Sequence, residues 1–359
     1  METILGQEQA VGVLEAQLAS GRVHHALIFH GPAGVGKFTT AVELARVLLC
    51  HEPMRELTGR VTACGSCRSC RLLAGQGPEV EEAEQVLRAG GAHPDVHVVA
   101  KELALYHEQK QIRERKLTQI PMEILRAELV EPATRAAVLG HGKVFIVDEA
   151  ELISAQAQNV LLKTLEEPPA GTTIVLVTSS EDRLLPTIRS RCQRVAFRPL
   201  ADEVVGRWVA RHHGGLSQTE QAAVAGGSIG RAALAVSYGL GEWASLVEEE
   251  LAEMEAGRPT GRLGAEMARC IDDFAQAWVK RHANASKEAA NRLGAEQMFS
   301  VLAEQARQRL HAQAGGDAEV WADAIEAMEQ GQAMLSSNVN LSLVCDDVAV
   351  RVAEVVGRG

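Results

Sequence analysis

Three groups of residues in this chain have types and spacings that can do chemistry. The segment GPAGVGKFTT at 31–40 sets Gly31, Gly34 and Gly36 ahead of Lys37. That is the composition of a loop whose backbone N–H groups and lysine cradle phosphate oxygens, as in ATP. Such a loop ends in a Ser or Thr whose hydroxyl binds Mg²⁺, and Phe38 stands in that place. Thr39 lies about 100° further round a helix, so it reaches the metal only if the register slips. A second group is Asp148 and Glu149, which end the apolar run of KVFIVDEAE at 143–151. Carboxylates at the C-terminal end of a buried strand beside a phosphate loop hold hydrated Mg²⁺, through the Asp, and polarise an attacking water, through the Glu. The third group is Cys50 with Cys64, Cys67 and Cys70 of CGSCRSC. Thiolates two residues apart fill adjacent corners of a tetrahedron, and Cys50 closes it, so the four predict a structural Zn²⁺ site with no open position.

The elements that must position these groups are legible in outline. HHALIFH at 24–30 predicts a short buried strand running into the glycines, and FTTAVELARVLLC at 38–50 a helix whose N-terminus faces the loop, where anions are favoured. PDVHVVAK at 94–101 alternates as a strand, and IPMEILRAEL at 120–129 places Ile120, Ile124, Leu125 and Leu129 on one helical face. SAQAQNVLLKTLEEPP at 154–169 predicts a helix capped by Ser154 and stopped by proline. Glu166 and Glu167 in its last turn have the wrong sign for a helix C-terminus and hint at an interface, facing a partner or only solvent. TTIVLVTSS at 172–180 is a buried β-branched strand ending at Thr178, where a γ-phosphate would lie, and RLLPTIRSRCQRVAF at 183–197 exposes Arg189, Arg191 and Arg194 around a turn. A short exposed helix is expected at 77–91. The charged stretch 101–117 reads first as a solvated loop, second as a contact with a partner or DNA.

At 359 residues the chain has room for two or three domains. Apolar residues make up 46% but aromatic ones 3%, so the cores are expected to be aliphatic. A net charge of −11 argues against a protein that coats nucleic acid by bulk charge, and leaves a local basic surface open. With no secretory leader and no long apolar run, the expectation is a soluble, cytoplasmic protein whose cysteines are metal ligands or buried thiols.

Taken in order, ILGQEQAV (4–11), the phosphate loop, the four cysteines, HPD (93–95), VFIVDEAELISAQAQNVLLKTLEEPP (144–169), RSRC (189–192) and GGSIGRA (226–232) resemble the AAA+ clamp-loader subunits of bacterial DNA polymerase III. The resemblance covers roughly residues 1–235 and thins beyond 240, where EQMFSVLAEQARQRL (296–310) and 321–356 read as long amphipathic helices. It implies an α/β RecA-like AAA+ domain over 1–199, with a zinc module at about 50–70 and an insertion at about 71–92. A small helical lid over 200–240 and an all-α collar over 241–359 would follow. Lys37 then matches the Walker A lysine, Asp148 and Glu149 the Walker B pair, and Thr178 the sensor-1 position. Arg191 matches an arginine finger that reaches a neighbouring subunit's ATP, and Arg231 the sensor-2 arginine. The gap of 13 residues between Cys50 and Cys64 is long for the family.

Two subunit types in that family carry both the cysteines and the SRC turn. One is the gamma/tau ATPase, which needs the hydroxyl that Phe38 replaces. The other often has a degenerate phosphate loop and keeps the arginine for its neighbour, and this chain fits it better. The implied task is to help load a sliding clamp on primed DNA within a five-membered ring, touching DNA phosphates without sequence specificity. Its own ATP hydrolysis is expected to be weak or absent. The alternatives are an active gamma/tau-like motor in which Thr39 holds Mg²⁺, and a zinc-dependent scaffold with a vestigial nucleotide site.

Overall fold

A computed structural model describes residues 4–74, 93–113, 119–213, 226–259, 261–282, 286–312, 318–336 and 339–357. The chain divides into two compact units, Met1–Leu200 and Ala201–Gly359.

The first unit is built on a five-stranded sheet. Its strands are β1 (Ala26–His30), β4 (Val96–Val99), β5 (Lys143–Val147), β6 (Thr172–Thr178) and β7 (Gln193–Ala196), in the order β4-β5-β6-β1-β7. Every pairing is parallel. A parallel sheet is covered on both faces, and the central strands accordingly read as continuous apolar runs. Their side chains separate with period two. Leu27, Phe29, Val144, Ile146, Val175 and Val177 join one core with Leu14 and Leu44 from helices α1 (Glu8–Ser20) and α2 (Lys37–Leu48). Ala26, Ile28, Phe145, Val147, Ile174 and Leu176 join the other, which includes Ile124, Leu125 and Leu161.

Between α2 and β4 lie a two-stranded hairpin, β2 (Met54–Arg55) and β3 (Val61–Thr62), and helix α3 (Arg68–Ala74). The helix expected at 77–91 lies outside the described residues. The segment expected as a helix over 120–129 begins later, because Ile120 bridges Ile153 in parallel. Helical turns run from Met122 to Thr134 with a widened π turn at Arg126–Val130. Pro132, which has no N–H to donate, sits just beyond that turn and accounts for the widening. Helix α4 (Ala155–Glu166) is capped as expected: the Ser154 hydroxyl accepts from the Ala157 N–H at 3.3 Å.

The described part of the second unit is helical: α5 (Asp202–His213), α6 (Ile229–Tyr238), α7 (Gly241–Glu255), α8 (Leu263–Arg281), α9 (Lys287–Ala312), α10 (Ala318–Ser336) and α11 (Leu341–Val356). Trp321, Phe299, Phe274, Met267 and Val348 lie in its shared core. Gly331 of α10 lets α11 approach closely, since a Cβ there would fall 2.3 Å from Val348 Cγ2. No helix among the described residues is long and apolar enough to cross a membrane.

Candidate functional site

The register of the parallel strands brings the first two groups to one edge of the sheet. His30, the residue before the loop, pairs with Thr178, and Val147, the residue before Asp148, pairs with Val99 and Leu176. Gly31, Lys37, Asp148, Glu149 and Thr178 therefore follow or end strands on the C-terminal side, the edge where open α/β sheets bind ligands.

The loop geometry explains its glycines. Gly31, Gly34 and Gly36 have φ of 140°, 72° and 99°, which L side chains rarely adopt. A Cβ on Gly31 would also lie 2.1 Å from the Phe197 carbonyl oxygen. Lys37 is buried, and its Nζ donates to the carbonyls of Gly31, at 2.6 Å, and Pro32. Phe38 is 7% exposed and belongs to the core with Val35, Ala41 and Phe197. The place of a metal-binding hydroxyl is thus filled by an apolar side chain directed inward. Thr39 is half-buried on the first turn of α2, while the Thr40 hydroxyl donates to the Gly36 carbonyl at 2.8 Å. These residues fit a phosphate group, through the loop amides and Lys37, better than they fit Mg²⁺.

Asp148 is buried after β5, and Glu149 adopts φ of 48°, the left-handed conformation that non-glycine residues seldom take. Lys101, just past the end of β4, places Nζ 2.6 Å from Glu149 Oε2 and 2.8 Å from Oε1. Burial works to lower the Lys101 pKa, and the charges of Glu149, Glu102 and Asp148 outweigh it, so it is raised. Desolvation pushes the Glu149 carboxyl up; Lys101 opposes this and Asp148 adds to it. The stretch 101–117, read first as a solvated loop, is corrected in its described part. Ala104 and Ile112 are buried in the core, and Lys101 is tied to Glu149. Residues 114–117 of it lie outside the described residues.

Thr178 is buried, and its hydroxyl accepts from the Ser180 N–H at 3.0 Å. Arg189 and Arg191, between β6 and β7, and Arg194, on β7, each meet a carboxylate. Arg189 Nη1 lies 3.6 Å from Asp182, Arg194 Nη1 3.2 Å from Glu181, and Arg191 Nη2 2.6 Å from Glu166. Glu166, with its unfavourable position at the end of α4, thus has a partner within the chain. Arg231 belongs to the second unit, in the first turn of α6, where the Ser228 hydroxyl accepts from its N–H at 3.2 Å. Burial lowers its pKa, against the nearby Glu296 and Glu304 carboxylates.

The sulfurs of Cys50, Cys64, Cys67 and Cys70 lie within 4.8 Å of one another, with Cys64 and Cys70 3.9 Å apart and Cys70 and Cys50 3.5 Å apart. A tetrahedron with Zn–S of about 2.3 Å has sulfurs roughly 3.8 Å apart, so the group could hold such an ion. Backbone N–H groups already point at the sulfurs: Cys64 N at Cys50 Sγ and Cys67 N at Cys64 Sγ, each 3.3 Å, and Cys70 N at Cys67 Sγ, 3.4 Å. The Cys67 and Ser66 N–H groups pull the Cys64 thiol down to about 6, while burial pushes Cys50 and Cys70 up. A cation among them would offset that burial cost.

HPD, a motif with no chemical task in the sequence, supports both the sheet and the cysteine group. The Asp95 carboxylate accepts from the Val138 and Leu139 N–H groups at 2.6 and 2.7 Å, and its carbonyl accepts from Val144 N–H. His93 Nδ1 accepts from Asp95 N–H at 3.1 Å, so the neutral ring carries its proton on Nε2, which faces the hydroxyl of Ser69 on α3 at 2.9 Å.

The family model described as DNA polymerase III, delta subunit, matches residues 6–201, more than half of the 359. A DNA polymerase III subunit delta' from Pseudomonas aeruginosa is 36% identical over 200 residues, 55% of this chain and 51% of that protein. The subunit delta' of Escherichia coli is 33% identical over 198 residues, 55% and 49%. A DNA polymerase III subunit gamma/tau from Mycobacterium tuberculosis is 31% identical over 209 residues, 58% of this chain and 30% of that one. The chain spans about half the length of the delta' relatives it matches.

Proposed function

The chain belongs to the DNA polymerase III delta subunit family, and on that premise we propose that it is a delta-prime-type clamp-loader subunit with little or no ATP hydrolysis of its own. The observation that carries this reading is the burial of Phe38 in the core, where a motor subunit needs a hydroxyl on Mg²⁺. Gly31, Gly34, Gly36 and Lys37 would still hold nucleotide phosphates, with Asp148, Thr178 and Thr39 at the same edge of the sheet, and Arg231 is read as the sensor-2 arginine that the family resemblance implies. Glu149, the water-polarising residue of an active site, is instead neutralised by Lys101.

In this reading the first unit is a RecA-like AAA+ domain, a description supported by its strand order with the phosphate loop after an interior strand. Cys50, Cys64, Cys67 and Cys70 hold a structural zinc. Residues 200–240 act as a lid and 241–359 as a collar. Arg191 is the arginine finger for the ATP of a neighbouring gamma/tau subunit, where such a group is worth roughly 10³ to 10⁵ in rate in other NTPases. The partners are gamma/tau and delta subunits in a hetero-pentameric ring in the cytoplasm, the sliding clamp, and primed DNA contacted through phosphates. The chain would then be a component of a nucleotidyltransferase holoenzyme.

The test is Mg²⁺-ATP binding and turnover by the purified chain, with Lys37→Ala as control, beside turnover of the reconstituted complex carrying Arg191→Ala. Negligible turnover alone and a large loss with Arg191→Ala are expected. Lysine-dependent turnover by the isolated chain would instead favour a gamma/tau-like motor using Thr39, a reading kept open by the gamma/tau relatives and the intact Lys37 and Asp148.

A further inference from the structure

We propose that Glu166 is a positioning residue for Arg191, holding its guanidinium on the chain's own surface until phosphate on a neighbouring subunit takes its place. The proposal rests on the reading of Arg191 as a trans-acting arginine.

Arg191 is held from two directions. Its Nη1 donates to the Thr187 carbonyl at 2.9 Å and the Ser190 hydroxyl at 3.3 Å, both within its own turn. Its Nη2 meets Glu166 Oε1 at 2.6 Å, across to the end of α4. A guanidinium has five N–H donors, so the turn can keep Nη1 while Nη2 changes partner. Of the three contacts only Glu166 carries a full negative charge, which makes it the one that competes with a phosphate oxygen on equal chemical terms.

The location of Glu166 supports the same conclusion. A helix C-terminus carries partial negative charge and disfavours a carboxylate in the last turn. Arg191 supplies the compensation, so the two residues are matched to each other. Arg189 and Arg194 differ: their partners, Asp182 and Glu181, sit in the short segment just after β6. The Arg191 and Glu166 side chains are 37% and 48% exposed, open to a partner and weakly held. Exposed ion pairs of this kind alter an equilibrium by about five-fold at most, enough to hold an idle side chain and little enough to be displaced.

The complex is reconstituted with wild-type chain, Glu166→Gln, Glu166→Asp, Arg191→Ala and the double variant Glu166→Gln with Arg191→Ala, and ATP turnover is followed against ATP concentration. Glu166→Gln removes the competing charge, so half-saturating ATP should fall by about two- to five-fold, with less change in turnover at saturation. Glu166→Asp should restore wild-type behaviour, and in the Arg191→Ala background Glu166→Gln should have no effect. If Arg191→Ala leaves turnover unchanged, the trans-acting role fails and this proposal with it. If Arg191→Ala lowers turnover while Glu166→Gln leaves half-saturation unchanged or raises it, that role stands and the Glu166 proposal is overturned. An equal effect of Glu166→Gln with and without Arg191 would also overturn it.

Discussion

Lys101 Nζ lies 2.6 Å from a carboxylate oxygen of Glu149, across the ends of two neighbouring parallel strands. The pair joins a residue from a stretch that reads as charged loop to a residue whose type and place suggest a water-polarising carboxylate. Lys101→Met should leave that carboxylate without its counter-charge. Because desolvation raises the Glu149 pKa and Lys101 holds it back, the variant's carboxyl should titrate higher still. A raised carboxyl costs stability as pH rises from about 4, its ordinary range, through the folded pKa. The melting-temperature deficit of Lys101→Met should therefore be small near pH 4 and grow towards pH 7. Glu149 keeps 42% of its side-chain surface, which limits the deficit to about 1 kcal/mol. A deficit constant across that range would show that Lys101 acts by packing alone.

His93 carries a second pH dependence. Burial lowers its pKa, against the pull of Asp95, and the ring accepts from Asp95 N–H through Nδ1, a contact that protonation destroys. A depressed histidine means that the unfolded chain binds the proton first. Stability should then decline as pH falls below about 6.5, the unfolded value, and level off once the folded pKa is passed. His97, lowered chiefly by burial, adds to the same slope. His93→Gln should flatten the decline without removing it, as read from urea midpoints between pH 5 and 7.

The cysteine group predicts one zinc per chain by elemental analysis and, after cobalt exchange, the absorption of a tetrahedral tetrathiolate. Cys64→Ser or Cys67→Ser should abolish stoichiometric metal. Prolonged chelation should lower the melting temperature of wild-type chain and leave those variants unchanged, since metal affinity and folding are linked.

What could be read in the sequence, and what could not, follows from range. The strands at 26–30, 143–147 and 172–178 announce themselves because a parallel sheet buries both faces and leaves unbroken apolar runs. The four cysteines are close enough in sequence for spacing to predict their meeting. Lys101 with Glu149, 48 positions apart, has no such local signature. Ala104 and Ile112, apolar residues among charges, were the available sign that this stretch touches the core. The two glutamates at the end of α4 did break a local rule, but the rule names no partner, and Arg191 lies beyond an intervening strand. HPD showed only polar and turn-forming types, although Asp95 and His93 are both buried keystones.

Phe38 joins the phosphate loop to the core, and restoring the missing hydroxyl should carry a structural cost. The ring is 7% exposed and shares its cluster with Val35, Ala41 and Phe197. Truncating a buried phenylalanine costs about 3–5 kcal/mol, so Phe38→Ser should lower stability by an amount in that range. The new hydroxyl would occupy the metal-ligand position, yet Glu149 would remain paired with Lys101. Phe38→Ser should therefore gain Mg²⁺-dependent nucleotide affinity without efficient turnover. Both are measurable at a temperature where the variant is still folded, and the comparison is Phe38→Ser with Lys101→Met. Efficient Lys37-dependent hydrolysis by Phe38→Ser alone would mean that the metal ligand was the single missing part and that the Lys101 pair does not restrain Glu149.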